Sequence, residues 1–244
     1  MTIATDYEGF IKLLRSYPRA MSNDYYLPSW IFKMIESRKL SYSASEDALF
    51  LFERRDGFTK LVFHLIGGAS ELPPCEERLA SYLLYRENSP PKASADWLLG
   101  GGFRHVSTSA RLIAKKPIVA DSMDGIEDAS ADETYEMMRE CFDATDVDMP
   151  DSELFESAIC VRTDSGKPAG VLYCGRTQVV AVAQEMRGMG IGRRLYMAYA
   201  AMKLEENKNA ILRAWVNLDN AASLALHTRL GFCPDGALAD LYEK

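Results

Sequence analysis

The segment from Val179 to Leu195 limits what this chain can fold into more than any other. An apolar run, Val179-Val180-Ala181-Val182, passes through Gln184-Glu185-Met186-Arg187-Gly188-Met189-Gly190-Ile191-Gly192 into Arg193-Arg194-Leu195, where a helical pattern begins and continues to Glu205. A strand, a glycine-rich turn and a helix must therefore follow one another directly. Glycines let the backbone turn tightly and approach a ligand without interference from a Cβ. The N–H groups of the turn and of the first helical turn lack partners inside the helix. Together with the helix dipole they form an anion site suited to a pyrophosphate.

Three readings of this segment compete. It can be a glycine-rich connection that binds nothing. It can be the G-x-G-x-x-G dinucleotide fingerprint, which Gly188 and Gly190 begin; Arg193, however, stands at the third glycine, and no βαβ unit with a following acidic residue is evident. Or it can be an R-x-x-G-x-G pattern, which Arg187, Gly190 and Gly192 satisfy.

One strand later comes Asn217-Leu218-Asp219-Asn220-Ala221-Ala222-Ser223-Leu224-Ala225-Leu226-His227-Thr228-Arg229-Leu230-Gly231-Phe232. The loop and this helix, in this order, resemble the two motifs of the GNAT N-acetyltransferase superfamily, and Gly125 to Ser130 resembles that family's first strand. The resemblance covers residues 121–244 and implies an acetyl-CoA-binding catalytic domain that acetylates an amine. It implies that the backbone at Val180 and Val182 pairs with the pantetheine amides. The N–H groups of Arg187, Gly188, Met189, Gly190, Ile191, Gly192 and Arg193 would hold the pyrophosphate, and Asn220 and Ser223 would face the pantetheine arm. His227 stands where many members carry a tyrosine that protonates the departing thiolate, which makes it the candidate general acid.

Plainer roles stand beside these. Asn220 can simply cap the helix that follows it, His227 can be a packing residue, and Arg193 and Arg194 can be a solvated face. The general base is missing from its usual place, since Arg176 to Ala183 contains no carboxylate. Glu156, Tyr173 and Tyr242 are possible contributors, a water chain serves equally, and Glu185 lies in the loop. Direct transfer in a ternary complex is expected, with Cys174 a buried thiol and not an acyl carrier.

The resemblance implies an α+β fold, a mixed and mostly antiparallel sheet flanked by helices, and the element pattern fits it. The second half reads βααβββαβαβ, opening with a capping-box spacing at Ser130 and Glu133. It includes a short helix from Pro150 to Phe155 and a last strand over 236–243. The first half reads as a helix stopped by Pro18, a helix after Pro28, and a hairpin of Ala48 to Glu53 with Phe58 to Ile66 around Asp56-Gly57. Leu79 to Tyr85 is ambiguous between helix and strand; Ala93 to Gly100 reads as a helix and Val106 to Ala114 as a strand. Trp97 to Phe103 echoes Leu226 to Phe232, which suggests two tandem domains: 1–120 degenerate or accessory, 121–244 catalytic. Lys115-Lys116-Pro117 and the polar stretch Asp121 to Asp124 mark the break. The first half has no counterpart of the glycine loop.

A net charge of -7 argues against broad nucleic-acid binding. Five cysteines without C-x-x-C spacing read as reduced thiols, and three scattered histidines offer no metal site. Met1 to Phe10 has no signal-peptide pattern and no run is long enough for a membrane span, so a cytoplasmic protein is expected, as monomer or homodimer. The expected reaction is acetyl transfer from acetyl-CoA to an amine of a small molecule, amino acid or peptide, the acidic balance favouring a cationic acceptor. The alternatives are a non-catalytic acyl-CoA-binding sensor or scaffold, and transfer of a longer acyl group.

Overall fold

The computed structural model describes residues 1–17, 21–23, 27–66, 70–114, 118, 123–175 and 178–244. Pro18, Lys115-Lys116-Pro117, Asp121 and Arg176 lie outside the described residues. The chain forms two compact units, Met1–Ser109 with Gly236–Lys244, and Ala110–Asp235. They are called units 1 and 2 below.

Unit 1 begins with β1 (Thr2–Ile3), α1 (Tyr7–Ser16), β2 (Met21–Ser22), α2 (Pro28–Glu36), β3 (Leu40–Ala44), β4 (Ala48–Arg54) and β5 (Thr59–Leu65). It continues with β6 (Leu79–Arg86), α3 (Lys92–Gly100) and the first part of β7 (Arg104–Ala114). Unit 2 holds β8 (Glu127–Asp128), α4 (Ala131–Cys141), β9 (Ala158–Arg162), β10 (Pro168–Tyr173), β11 (Val179–Val182), α5 (Ile191–Glu206), β12 (Arg213–Asn217) and α6 (Ala221–Arg229). The last strand, β13 (Phe232–Glu243), gives its final residues to unit 1. The architecture is mixed α+β with mostly antiparallel pairing.

In unit 1 the strand order is β1-β3-β4-β5-β6-β13, with β2 on β5. All pairs are antiparallel except β5 with β6. The segment Leu79 to Tyr85 is a strand because it has partners on both sides: β5 at Thr59 and Lys60, and β13 from Ala237 to Glu243. Two such ladders outweigh any local helical preference. The strand β3 was not foreseen. Leu40, Tyr42 and Ala44 alternate with Ser41 and Ser43, a strand pattern only five residues long, and Leu40–Ala44 pairs with Leu49–Glu53 of β4. Phe50, Phe63, Leu83, Leu98 and Tyr242 pack together in this unit's core.

In unit 2 a four-stranded sheet runs β11-β10-β9-β8. Both faces are covered, so its strands read as continuous apolar runs. Cys160, Val171, Tyr173 and Ala181 pack with Tyr135 and Met138 of α4. Alternation turns Gly170, Leu172, Val180 and Val182 the other way, toward α5. The capping box forms: Ser130 Oγ accepts from the Glu133 N–H at 3.2 Å, and the Ser130 N–H donates to Glu133 Oε2 at 3.0 Å. Arg162 donates to Glu133 Oε1 at 2.6 Å and anchors the start of α4 to β9. That bond, with the one from the Ser130 backbone, lowers the Glu133 carboxyl to about 2. The helix expected over Pro150 to Phe155 is a single 3-10 turn, Ser152–Leu154. The final strand starts at Phe232, directly after Gly231, where the sequence placed its start at residue 236.

Both α3 and α6 end at a glycine with positive φ, Gly102 (85°) and Gly231 (84°), followed by a buried phenylalanine that leads into a strand. The echo between Trp97–Phe103 and Leu226–Phe232 is therefore structural. Among the described residues no helix is long and apolar enough to cross a membrane.

One glycine holds unit 2 together by its absence of bulk. A Cβ on Gly170 would stand 2.8 Å from Ile191 Cγ2 and 3.1 Å from the Ala181 carbonyl oxygen. The first turn of α5 can lie on the sheet only because position 170 is bare. Gly170→Ala is expected to cost about 1–3 kcal/mol through overpacking and to lower the thermal unfolding midpoint by several degrees. An unchanged midpoint would show that Ile191 shifts without cost.

Candidate functional site

The site begins with backbone groups that have no strand beside them. β11 is the edge of its sheet and pairs only with β10, in the register Gly170↔Val182 to Tyr173↔Val179. The Ala183 N–H donates to the Ala169 carbonyl at 3.1 Å, which sets the alternation. Residues 179, 181 and 183 bond inward to β10, and the peptide groups of Val180 and Val182 point outward. The Val182 carbonyl is partly occupied already: Arg187 Nε donates to it at 3.2 Å, and Cys141 Sγ lies 3.6 Å away. The outward N–H and C=O of Val180 and the N–H of Val182 line the edge.

Beyond β11 the chain makes one 3-10 turn, Gln184–Met186, and becomes extended at Arg187. Gly188 (φ 82°) and Gly190 (φ 80°) then take left-handed conformations that a side chain would resist. Gly190 is the N-cap of α5, and no side chain caps that helix. Its first-turn N–H groups, from Gly190 through Arg193, lie beyond the reach of the i→i−4 ladder. A helix of 16 residues places its full dipole behind them. Gly188, Gly190 and Gly192 carry no side chain to cover these N–H groups, and Met189 between them is 65% exposed. Arg194 is turned away, donating from Nη2 to the Asp124 carbonyl at 2.9 Å.

The third predicted element arrives at the same place. A Cβ on Gly192 would meet Leu226 Cδ2 at 3.5 Å and the Val180 and Val182 side chains at 3.7 Å. The edge strand, the start of α5 and the middle of α6 thus converge on Gly192. Asn220 caps α6, its Oδ1 accepting from the Ser223 N–H at 2.9 Å, so the plain role foreseen for it is realised.

His227 is 3% exposed, held edge-on between the Tyr196 and Phe232 rings, whose centroids are 4.6 and 5.2 Å away. Its Nδ1 lies 2.8 Å from the Ser223 carbonyl oxygen, which can only accept, so the ring proton belongs on Nδ1. Nε2 is buried with no hydrogen-bond partner among the described residues. Burial pushes the imidazole pKa down, against the weaker upward pull of the Ser223 carbonyl. At neutral pH the ring is therefore uncharged and has no proton at Nε2 to give.

The other chemistry-bearing groups are dispersed. Tyr242 packs in the core of unit 1. Glu185 is exposed in the 3-10 turn. Cys174 is a thiol, pushed up to about 12 mainly by burial, which is far from a nucleophilic thiolate. Glu156 and Tyr173 are brought together: the carboxylate and the hydroxyl crowd Gly175 so closely that a Cβ there would overlap both. Gly175 lies in the connection from β10 to β11. Two participants went unnoticed in the sequence, Gly170 and Cys141. A lone glycine inside an apolar strand is a recognised sign of close backbone approach; Cys141 had no such signal. The His227 tautomer is open to test by nitrogen-15 chemical shifts. Nδ1 should be protonated and Nε2 bare at pH 7, with charging only below the ordinary value of 6.5; a protonated Nε2 would reverse the assignment.

Comparison with known proteins agrees with this geometry. Residues 129–232 match the model of the Acetyltransferase (GNAT) family. A tandem GNAT protein from the clavulanic acid biosynthesis pathway superposes with a TM-score of 0.61 at 14% identity, covering 100% of this chain and 96% of its own. A GNAT-family acetyltransferase from Novosphingobium aromaticivorans gives 0.55 at 18% identity, covering 85% and 92%. A GCN5-related N-acetyltransferase from Kribbella flavida gives 0.53 at 17%, covering 85% and 90%. At these identities the likeness is one of fold. No curated relative matches the sequence. The open edge strand, the glycine loop and α6 all lie within residues 129–232, the part of the chain that matches the acetyltransferase (GNAT) family.

Proposed function

We propose that the protein transfers the acetyl group of acetyl-CoA to an amine of a small molecule, amino acid or peptide, directly within a ternary complex. One observation carries the reading: the outward peptide groups of Val180 and Val182 lead into an uncapped helix N-terminus through two left-handed glycines. That is a track of amide partners ending in an anion site. Pantetheine is an arm of amides and the pyrophosphate is its anionic end. The arm adds to β11 as a further strand would. The N–H groups from Arg187 to Arg193 hold the phosphates, with Asn220 and Ser223 beside the arm.

The chemistry then needs a neutral amine, a donor for the thioester oxygen and a proton for the thiolate. An outward N–H of β11 polarises the carbonyl. Glu156 is the proposed base. It is exposed, it meets Tyr173 beside Gly175, and that connection leads into the start of β11. His227 does not suit the general-acid role, because its only proton is committed to the Ser223 carbonyl. The thiolate takes the proton released by the attacking amine, relayed through Glu156 or water, and His227 positions α6 against Tyr196 and Phe232. Cys174, kept as a thiol by burial, does not suit the role of an acyl carrier, which supports direct transfer.

A cationic acceptor is proposed. An open cleft of about 570 Å³ along α4 is lined by Asp132, Glu136 and Glu140 against the single cation Arg139, with Tyr135 and Ser152. A cytoplasmic setting fits the reduced thiols. A binding-only sensor is the competing reading, and detectable CoA release with any amine of a broad panel removes it.

Two measurements test the proposal. Gly190→Asp places both a strained side chain and a negative charge at the phosphate site. It should weaken acetyl-CoA binding by on the order of 100-fold in calorimetry. No binding to the unmodified protein would end the reading. Glu156→Gln should lower kcat/KM by about 10²–10⁴-fold, with acetyl-CoA affinity unchanged. An unchanged kcat/KM would move the base elsewhere.

A further inference from the structure

Unit 1 contains a pair of parallel strands that part, and the edge this leaves is not open. β5 and β6 pair only at Thr59↔Leu79 and Lys60↔Ala80. The Thr59 N–H donates to the Arg78 carbonyl at 2.9 Å, so by alternation the peptide groups of Leu61 and Phe63 also face that side. Past Lys60 they have no strand opposite.

The side chain of Asn23 takes the strand's place. The Phe63 N–H donates to Asn23 Oδ1 at 2.8 Å, and Asn23 Nδ2 donates to the Leu61 carbonyl at 3.1 Å. Nδ2 also donates to Ser81 Oγ of β6 at 2.8 Å, and that hydroxyl donates to the Leu61 carbonyl at 3.1 Å. The orientation of the carboxamide is dictated by its partners, since the Phe63 N–H needs an acceptor and the Leu61 carbonyl a donor. Asn23 is 2% exposed. Just before it, β2 extends the occupancy at Ser22↔His64 and Met21↔Leu65.

A carboxamide presents a C=O and an N–H on the same side, as one residue of a strand presents the C=O and N–H of its two flanking peptide groups. Bonding to the C=O of one residue and the N–H of the residue two further on is how one residue of an added strand attaches to an edge. The same outward pair on β11 is Val180 and Val182. Unit 1 also lacks the anion site. Among the described residues between β5 and β6 there is no helix, and so no counterpart of the uncapped start of α5.

We infer that Met21–Asn23 occupies in unit 1 the strand edge that unit 2 keeps open, with the Asn23 carboxamide taking the backbone partners that the amides of a ligand would need, so that the chain binds one acyl-CoA and not two. The identity of the ligand rests on the function proposed above; the plug itself does not. Exchange of the plug for ligand would break the bonds of Asn23 to Phe63, Leu61 and Ser81 and expose a carboxamide that is now buried, a cost that the open edge of β11 does not carry.

Amide hydrogen exchange on the full chain, with and without acetyl-CoA, tests it. Without ligand, the Phe63 amide should be protected. Saturating acetyl-CoA should bind at one per chain, adding protection at Val180 and Val182 and none at Phe63. In Asn23→Ala the Phe63 amide should exchange at least about tenfold faster. The neighbouring Val62 amide, which faces β4, should stay unchanged. Two acetyl-CoA per chain, added protection at Phe63, an unprotected Phe63 without ligand, or equal acceleration at Val62 and Phe63 would each overturn the inference. If acetyl-CoA protects neither strand, the cofactor reading of unit 2 fails, and the contrast between Phe63 and Val62 still decides the plug.

Discussion

A peptide group at a strand edge must find a partner in the protein, in water or in a ligand, because leaving it buried and unpaired costs about as much as a lost hydrogen bond. That requirement organises both units. At β5 the outward groups of Leu61 and Phe63 are met by Asn23, and the edge is sealed. At β11 the outward groups of Val180 and the Val182 N–H have no strand beside them among the described residues, and the helix beginning at Ile191 starts without a side-chain cap where the strand ends. One protein thus holds a closed and an open solution to the same backbone problem.

The open solution depends on small residues placed where elements must approach closely. Gly170 admits Ile191 onto the sheet, Gly192 lets α6 and β11 close around the start of α5, and Gly188 and Gly190 turn the loop so that its N–H groups stay available. Arg187 contributes in a way its motif position does not suggest. Its side chain ties the loop back to the Val182 carbonyl, while its backbone N–H, which donates weakly to Gln184 at 3.3 Å, remains at the rim of the anion site. The acid–base groups are sparse around this frame. A neutral buried His227 and a protonated Cys174 are consistent with a site that works chiefly by positioning, with Glu156 as its exposed carboxylate.

Local features were legible. The Ser130–Glu133 capping box, the Asp56-Gly57 turn and the strand–loop–helix from Val179 to Glu206 form where their residues indicate, because each is decided within a few positions of chain. The capping role of Asn220 was equally visible. β3 was passed over although Leu40, Tyr42 and Ala44 alternate with Ser41 and Ser43, because five residues are a short signal and the strand is held by its pairing with β4. Leu79 to Tyr85 could not be assigned before its two neighbours were known, one of them contributed by residues 237–243 at the far end of the chain.

The sequence by itself determined the chemistry available: a glycine loop that can present N–H groups, an apolar strand before it, and a helix with asparagine, serine and histidine at set intervals. Those properties follow from residue type and short-range spacing. The tertiary structure alone decided which groups remain free. Asn23 looks like any loop asparagine until β5 and β6 part around it, and His227 looks like a proton donor until Ser223, Tyr196 and Phe232 enclose it. Availability depends on which partners fold into hydrogen-bonding distance, and those partners lie tens of residues away in the case of Asn23.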